Sequence, residues 1–173
     1  MNKILLSIFL YGVIPLLVVF ASYTFGLATK AYDRKIDAAR ERYQNLYLPF
    51  MNWIIHAPLD WVSPGAYKPE IRYKLMQLLL ENSQYMGNES IELLNPLYDA
   101  YLRLYDLDVK KINIAKNIPS PREYNDLFNS ITILLLQEAA TISDTLKLPN
   151  QAEYVLKYYR EHMIELIQYK ETD

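Results

Sequence analysis

The sequence predicts an all-α protein with one N-terminal transmembrane helix followed by a single helical-bundle domain of about five helices. Three observations support this fold class. Residues 4–27 contain no charged side chain, later segments repeat apolar residues at helical spacing, and no segment alternates apolar and polar residues as a half-buried strand does. The predicted boundaries are residues 1–29 for the anchor and residues 30–173 for the domain.

The predicted anchor at residues 4–27 is long enough to cross a hydrocarbon core of about 30 Å. A cleaved secretory signal is the competing interpretation, with Lys3 as its basic start and Gly26-Leu27-Ala28 as its cleavage site. The apolar part of a signal peptide spans only about 7–15 residues. The longer run therefore favours an uncleaved anchor, inserted in the lipid bilayer.

Basic residues beside the anchor set its predicted orientation, because lysine and arginine near a membrane span stay in the cytoplasm. Lys3 alone precedes the span, whereas five basic residues follow it closely: Lys30, Arg34, Lys35, Arg40 and Arg42. This asymmetry predicts a single-pass cell-membrane protein with a cytoplasmic C-terminal domain. An extracytoplasmic domain is the alternative, since the N-terminal flank is short.

Composition excludes several classes of partner and site. Without Lys3, 17 of the 18 basic residues remain against 20 acidic residues, so the predicted domain has a formal net charge of −3. The charges are interspersed, which argues against nucleic acid as a partner, because phosphate binding needs a basic face. With no cysteine, the chain has no disulfide, zinc ribbon or thiol nucleophile. Four glycines, two of them in the anchor, exclude the Gly-rich phosphate loops.

The first helix of the predicted domain spans residues 30–55 and carries an apolar seam. Its residues alternate at spacings of three and four: Ile36, Ala39, Tyr43, Leu46, Phe50 and Trp53. Pro49 predicts a kink or short break near Leu48. We expect the C-terminal half of the seam, residues 46–53, to lie in the domain core. For the N-terminal half, with Ile36 and Ala39, a weak contact between two copies of the chain is an open alternative.

An irregular, proline-containing segment follows at residues 56–68, and two helices come after it. Pro69 suits the first turn of the next helix, and Gly87 is its predicted C-cap. The following helix is predicted to start at Asn88 and to bend at Pro96. Its predicted inward stripe comprises Ile91, Leu94, Tyr98, Tyr101, Leu102 and Tyr105.

Capping signals predict the starts of the last two helices. Ser120 is a predicted N-cap, Pro121 follows it in the first turn, and Glu123 completes a capping box. This pattern predicts a helix from Pro121 to about Leu146. Residues 131–136 are nearly all apolar, so we expect this helix at the centre of the bundle. Its predicted inward residues are Tyr124, Leu127, Phe128, Ile131, Leu134 and Leu135. Asn150 and Glu153 repeat the capping pattern for the last helix.

Catalytic and metal-binding patterns are weak. His162 and Glu165 occur once and in reverse order to the Glu-x-x-His motif that a di-iron bundle carries twice, which favours a solvated helix face. His56 beside Asp60 would suit an acid–base pair, but a histidine ending a helix usually bonds its last carbonyls. The sequence therefore predicts no cofactor and no metal, and it favours a non-enzymatic role. An enzyme without a short motif stays open.

Tyrosine is the residue type in excess, with 16 in 173 residues. Its apolar body and polar tip suit both protein interfaces and the rim of a bundle core. The candidate interaction surface comprises Trp61, Tyr98, Tyr101 and Tyr105. In the competing interpretation, the tyrosines lie at the rim of the bundle core. For Trp61, the competing interpretation is a lid that covers the bundle.

The predicted function is a membrane-tethered, non-enzymatic interaction or scaffold protein with an unidentified protein partner. The alternative is a sensor or carrier that binds an apolar or aromatic ligand between its helices. That alternative requires a cavity lined by tyrosines and by Met76, Met86 or Met163.

Overall fold

The structure, a computed structural model, describes residues 13–56, 63–110 and 121–170, and every regular element within them is helical. The helices are α1 (Ile14–Arg42), α2 (Leu48–His56), α3 (Pro69–Glu81), α4 (Asn88–Lys110), α5 (Pro121–Leu146) and α6 (Gln151–Lys170). A π turn at Tyr43–Tyr47 joins α1 to α2, and 3₁₀ turns at Pro64–Ala66 and Ser83–Tyr85 flank α3. The prediction of an all-α helical bundle is confirmed.

The chain divides into two compact units, Met1–Ala38 and Ala39–Asp173. The division falls within α1, whereas the sequence placed the domain boundary between residues 29 and 30. The helix predicted at residues 30–55 is therefore the C-terminal part of α1, the π turn and α2 in succession.

In the first unit, the N-terminal half of α1 exposes its large apolar side chains. Leu16, Val19 and Phe25 are 72%, 69% and 74% exposed. Among the described residues, no helix combines the length and the apolar character that a membrane crossing requires. The predicted transmembrane helix is thus not confirmed, and its first part, residues 4–12, lies outside the described residues.

In the second unit, α5 packs against α4 and α6 and also contacts the Pro64–Ala66 turn and the π turn. The apolar side chains buried on α5 are Tyr124, Phe128, Ile131, Leu135, Leu136, Ala139 and Ile142. Leu127 and Leu134, also predicted to point inward, are half-buried. The position predicted for this helix at the centre of the bundle is confirmed, with the predicted boundaries.

The interruption predicted near Leu48 takes the form of the π turn. The N–H of Leu48 donates to the carbonyl of Tyr43, five residues earlier instead of four. A proline has no N–H, and in a regular helix its ring meets the carbonyl four residues before it. The wider turn displaces that carbonyl, so α2 continues through Pro49. The predicted core half of the seam is confirmed for Leu46 and Phe50, which are fully buried, whereas Trp53 at its end is half-buried.

The connection between α3 and α4 differs from the prediction. α3 begins at Pro69 as predicted but ends at Glu81, before the Ser83–Tyr85 turn. Gly87 is not a C-cap, because its backbone does not adopt the left-handed conformation that such a cap requires. Its carbonyl instead accepts a hydrogen bond from the N–H of Ile91, in the first turn of α4.

The buried face of α4 is rotated relative to the predicted stripe. Ile91, Leu102 and Tyr105 were predicted to point inward, but all three are exposed. The core side of α4 consists of Ser90, Leu94, Leu97, Ala100, Tyr101 and Leu104. Leu97 is completely buried on this face, and Tyr101 and Leu104 are each 7% exposed. The helix continues through Pro96 to Lys110.

α5 ends in a tight turn, and a side-chain cap then opens α6. Lys147 is left-handed with a φ of 56°, and the N–H of Leu148 donates to the carbonyl of Ser143 at 2.9 Å; this is the Schellman pattern. The Asn150 side-chain oxygen accepts from the N–H of Glu153 at 3.3 Å, so the predicted cap at Asn150 is confirmed. Ser120, the predicted cap of α5, lies outside the described residues.

Candidate interaction surface and buried polar network

Three tyrosines of α4 form a row of neighbouring rings. The ring centroids of Tyr98 and Tyr101 are 6.3 Å apart, with an interplanar angle of 20°. Those of Tyr101 and Tyr105 are also 6.3 Å apart, with an angle of 33°. Tyr101 is only 7% exposed and Tyr105 is 47% exposed, while Tyr98 is half-buried. The row therefore runs from the core to the surface. Trp61 lies outside the described residues.

A tyrosine of α3 extends this aromatic cluster. Burial raises the pKa of Tyr101, the phenol of Tyr105 adds to the rise, and Arg72 opposes it. The phenol of Tyr73, in α3, also raises the pKa of Tyr101. The Tyr73 side chain is 55% exposed. The cluster thus combines phenols from two helices, with Tyr73 and Tyr105 exposed and Tyr101 buried.

An exposed apolar strip with an acidic border runs along α4. We call four residues the α4 strip: Ile91, Tyr98, Leu102 and Tyr105. All of them except Tyr98 are more than a third exposed. The acidic border consists of Glu92, Asp99 and Asp106, which are exposed and recur every seven residues. Because seven residues make almost two helical turns, the strip and its border run side by side along the helix.

A partly buried hydrogen-bond network connects the π turn to α5. Tyr47 donates its hydroxyl proton to Glu138 Oε2 at 2.8 Å and accepts from Arg42 Nη2 at 2.9 Å. Arg42 Nε donates to the carbonyl of Tyr85 at 2.7 Å. The N–H of Gly87 donates to the same Glu138 oxygen at 3.0 Å. The end of α1, the α3–α4 connection and α5 are thus joined through one buried phenol.

The chemistry of this network suits structure better than catalysis. Burial raises the pKa of Tyr47 above its ordinary 10.0, and the hydrogen bond to Glu138 raises it further. The phenol therefore stays protonated at neutral pH, and its side chain is fully enclosed. A protonated, enclosed phenol neither attacks a substrate nor accepts a proton. Its bonds to a guanidinium and to a carboxylate are charge-assisted, and so hold the π turn firmly.

Of the two candidate pairs that contain a histidine, only His56 has a described side chain. His56 ends α2, and its Nδ1 lies 2.7 Å from the carbonyl of Asn52. This is the contact expected of a histidine that closes a helix. Asp60 is outside the described residues, and His162 and Glu165 belong to a part of α6 whose side chains are not described.

Two charged residues of the second unit, the buried Arg72 and the half-buried Glu138, were not predicted from the sequence. Arg72 is 3% exposed, and its Nη1 donates to the carbonyl of Gly65. A charge within an apolar helix face was the available signal for Arg72, since a buried charge needs partners. Nothing in the sequence indicates Glu138, whose partners Gly87 and Tyr47 are 51 and 91 residues away.

Comparison with protein-family models, with curated proteins and with solved structures finds no match to this chain.

Proposed function

We propose that this chain is a membrane-tethered, non-enzymatic interaction or scaffold protein that binds a protein partner through the α4 strip. The observation that carries the proposal is the exposure of aromatic and aliphatic side chains along one helix. Leu102 and Tyr105 are 41% and 47% exposed. A tyrosine ring buries a large apolar area in an interface while its hydroxyl keeps a hydrogen bond.

The acidic border favours a partner of a particular kind. We infer an amphipathic helix, because a row that repeats every seven residues matches the apolar seam of a facing helix. Lysine or arginine beside that seam would meet Glu92, Asp99 and Asp106. Charge pairs of this kind steer association and select the partner, and salt weakens them.

The membrane tether is proposed from residues 4–27, which contain no charged residue. Two features of α1 support it. The apolar side chains at residues 16–20 are exposed, and lipid would cover a helix that is apolar all round. The hydroxyls of Ser22 and Thr24 both donate to carbonyls of their own helix at 2.8 Å, so these polar groups need no water.

Site-specific crosslinking in the native cells tests the interaction. The photoreactive residue p-benzoyl-phenylalanine replaces Tyr105 in the full-length chain. Tyr154 of α6 is the matched control position, because it is also an exposed tyrosine, at 78%. Illumination should give a discrete protein adduct from position 105 and none from position 154.

Charge reversal then tests the acidic border. Glu92→Lys combined with Asp99→Lys should reduce the adduct at position 105, and so should added salt. Glu161→Lys, at an exposed position of α6, should leave the adduct unchanged. Equal adduct yields from both crosslinker positions would contradict the proposed surface. So would an adduct yield at position 105 that neither the charge reversal nor added salt changes.

Cysteine labelling tests the tether and its orientation, since the chain has no cysteine of its own. An impermeant maleimide should label Asn2→Cys in intact cells. It should label Thr172→Cys only after the membrane is permeabilised, because the basic flank predicts a cytoplasmic domain. Labelling of Thr172→Cys in intact cells would reverse the orientation. Recovery of the full-length chain without detergent would contradict the tether.

A further inference from the structure

Two phenol hydroxyls in the core, those of Tyr67 and Tyr124, have no hydrogen-bond partner among the described protein groups. Their side chains are only 4% and 2% exposed. The hydroxyl of Thr132, a fully buried residue, also has no hydrogen-bond partner among these groups. A buried hydroxyl without a partner loses its bonds to water and gains nothing in return. Three such groups in one core therefore require an explanation.

These side chains surround Phe128 of α5. Tyr67 meets the Phe128 ring edge-on, at a centroid distance of 6.4 Å and an angle of 89°. Tyr124 stacks on the same ring at 5.8 Å and 29°. Tyr124, Phe128 and Thr132 follow one another at intervals of four residues, so they share one face of α5. The unpartnered hydroxyls belong to one region of the core.

Electrostatics agree with this proximity. Burial raises the pKa of Tyr124, the guanidinium of Arg72 opposes the rise, and the phenol of Tyr67 adds to it. Burial alone raises the pKa of Tyr67. Both phenols therefore keep their protons and need an acceptor in this part of the core.

Tyr159 of α6 provides a contrast within the same region. Its side chain is 6% exposed, and its hydroxyl donates to Asn129 Oδ1 at 2.6 Å. Burial raises the pKa of Tyr159, and the nearby Thr132 hydroxyl lowers it, although Thr132 itself makes no hydrogen bond of normal geometry. The protein supplies an acceptor for one phenol here and none for the other two.

We propose that the core around Tyr67, Tyr124 and Thr132 is a hydration site, in which internal water molecules bond to the three hydroxyls. Water fits this role because it is small and both donates and accepts hydrogen bonds. Globular proteins hold on the order of one buried water per 27 residues, usually on polar groups that lack a protein partner. Each phenol donates its proton to a water oxygen.

The hydration site continues an existing polar attachment. The N–H of Gly65 donates to Asn125 Oδ1 at 2.6 Å, which fixes the Pro64–Ala66 turn on α5. Tyr67 follows this turn directly, so water bonded to its hydroxyl extends the attachment into the core. The site thereby orients the segment from which α3 begins.

Three substitutions test the proposal in the full-length chain, solubilised in detergent. Tyr67→Phe, Tyr124→Phe and Thr132→Val each remove one hydroxyl. Hydrated hydroxyls predict a lower melting temperature for every variant, because a hydrogen bond is lost. Dry hydroxyls predict a higher one, because an unpaired polar group leaves an apolar environment. The exposed Tyr154→Phe should not change it. An unchanged or raised melting temperature in either phenylalanine variant would overturn the proposal for that hydroxyl.

Direct observation by crystallography of the full-length chain completes the test. Hydration predicts single peaks of density about 2.5–3.0 Å from the hydroxyl oxygens. Well-ordered side chains without such peaks would overturn the proposal. Extended density of an organic molecule against Tyr67 and Tyr124 would also overturn it, and would support the carrier alternative.

Discussion

The N–H of Gly87 donates to Glu138 Oε2 at 3.0 Å, and a side chain at position 87 would displace the Glu138 carboxylate from its present position. A Cβ atom built on Gly87 would lie 2.6 Å from Glu138 Cδ. The glycine therefore preserves the bonds that Glu138 makes to the Gly87 N–H and to Tyr47, and its φ is not in the left-handed region.

Gly87→Ala should lower the free energy of unfolding by about 1–3 kcal/mol, because the displaced Glu138 carboxylate loses its hydrogen bonds to the Gly87 N–H and to Tyr47. Chemical denaturation of the full-length chain measures the change. Gly26→Ala is the control, because a Cβ there meets nothing within 4 Å. The cost should shrink when Glu138→Ala has removed the carboxylate. An equal cost in both backgrounds would show that the carboxylate is not the cause.

Tyr47→Phe should cost about 1–3 kcal/mol of stability, because Arg42 and Glu138 lose the hydroxyl that joins them in a buried site. Tyr85→Phe is the matched control, since the Tyr85 hydroxyl donates to the exposed Glu41 at 2.9 Å, where water can replace it. Denaturant midpoints of the two variants give the comparison. Similar losses would mean that burial does not set the strength of the Tyr47 bonds.

Phe50→Ala should cost about 3–5 kcal/mol, as other buried aromatic truncations do, because Phe50 is fully buried in the second unit. Thermal melting and sedimentation at matched concentration separate core from interface. The prediction fails if the substitution converts a stable dimer into a monomer with an unchanged melting temperature.

Local signals in the sequence predicted the helices well. The features that were not predicted depend on contacts between residues far apart in the chain. Pro69, Pro121 and Asn150 set helix starts through backbone chemistry within a few residues, so these starts were predictable. The inward face of α4 was misplaced because two overlapping apolar stripes run along this helix. Apolar spacing does not decide between a stripe with Ile91 and Leu102 and one with Leu97 and Leu104. Glu138 was missed because its partners come from distant segments. The site candidates Tyr98 and Tyr105 were recognisable by composition, but their exposure depends on how α4 is rotated.

Lys147→Gly should stabilise the chain by about 0.5–1 kcal/mol. Lys147 adopts a φ of 56°, which costs energy for a residue with a Cβ and little for glycine. Lys157→Gly, the same change at an exposed position within α6, should destabilise by about 1 kcal/mol. Denaturation of both variants should therefore give shifts of opposite sign. Two shifts of the same sign would contradict the role of the left-handed backbone.

Alkaline pH should unfold the second unit through its buried phenols. Burial raises the pKa of five tyrosines above the ordinary 10.0: Tyr47, Tyr67, Tyr101, Tyr124 and Tyr159. The unfolded chain loses these protons near pH 10 while the folded chain retains them. Their contribution to stability is complete below that pH and declines above it, by up to about 1.4 kcal/mol per phenol and pH unit. Phenolate absorbance and helical circular dichroism should change together. Ionisation of all phenols near pH 10 with the helices intact would contradict this.

The π turn determines which side chains can meet along the helix. In a regular α-helix, residues five apart point about 140° away from each other. Across this turn, however, the Arg42 guanidinium lies over the Tyr47 ring at 5.7 Å from its centroid and bonds to its hydroxyl. Rewinding the turn to α-helical geometry would separate this pair and disconnect Glu138. The local period of the backbone and the Arg42–Tyr47 contact are therefore coupled, and neither can change without the other.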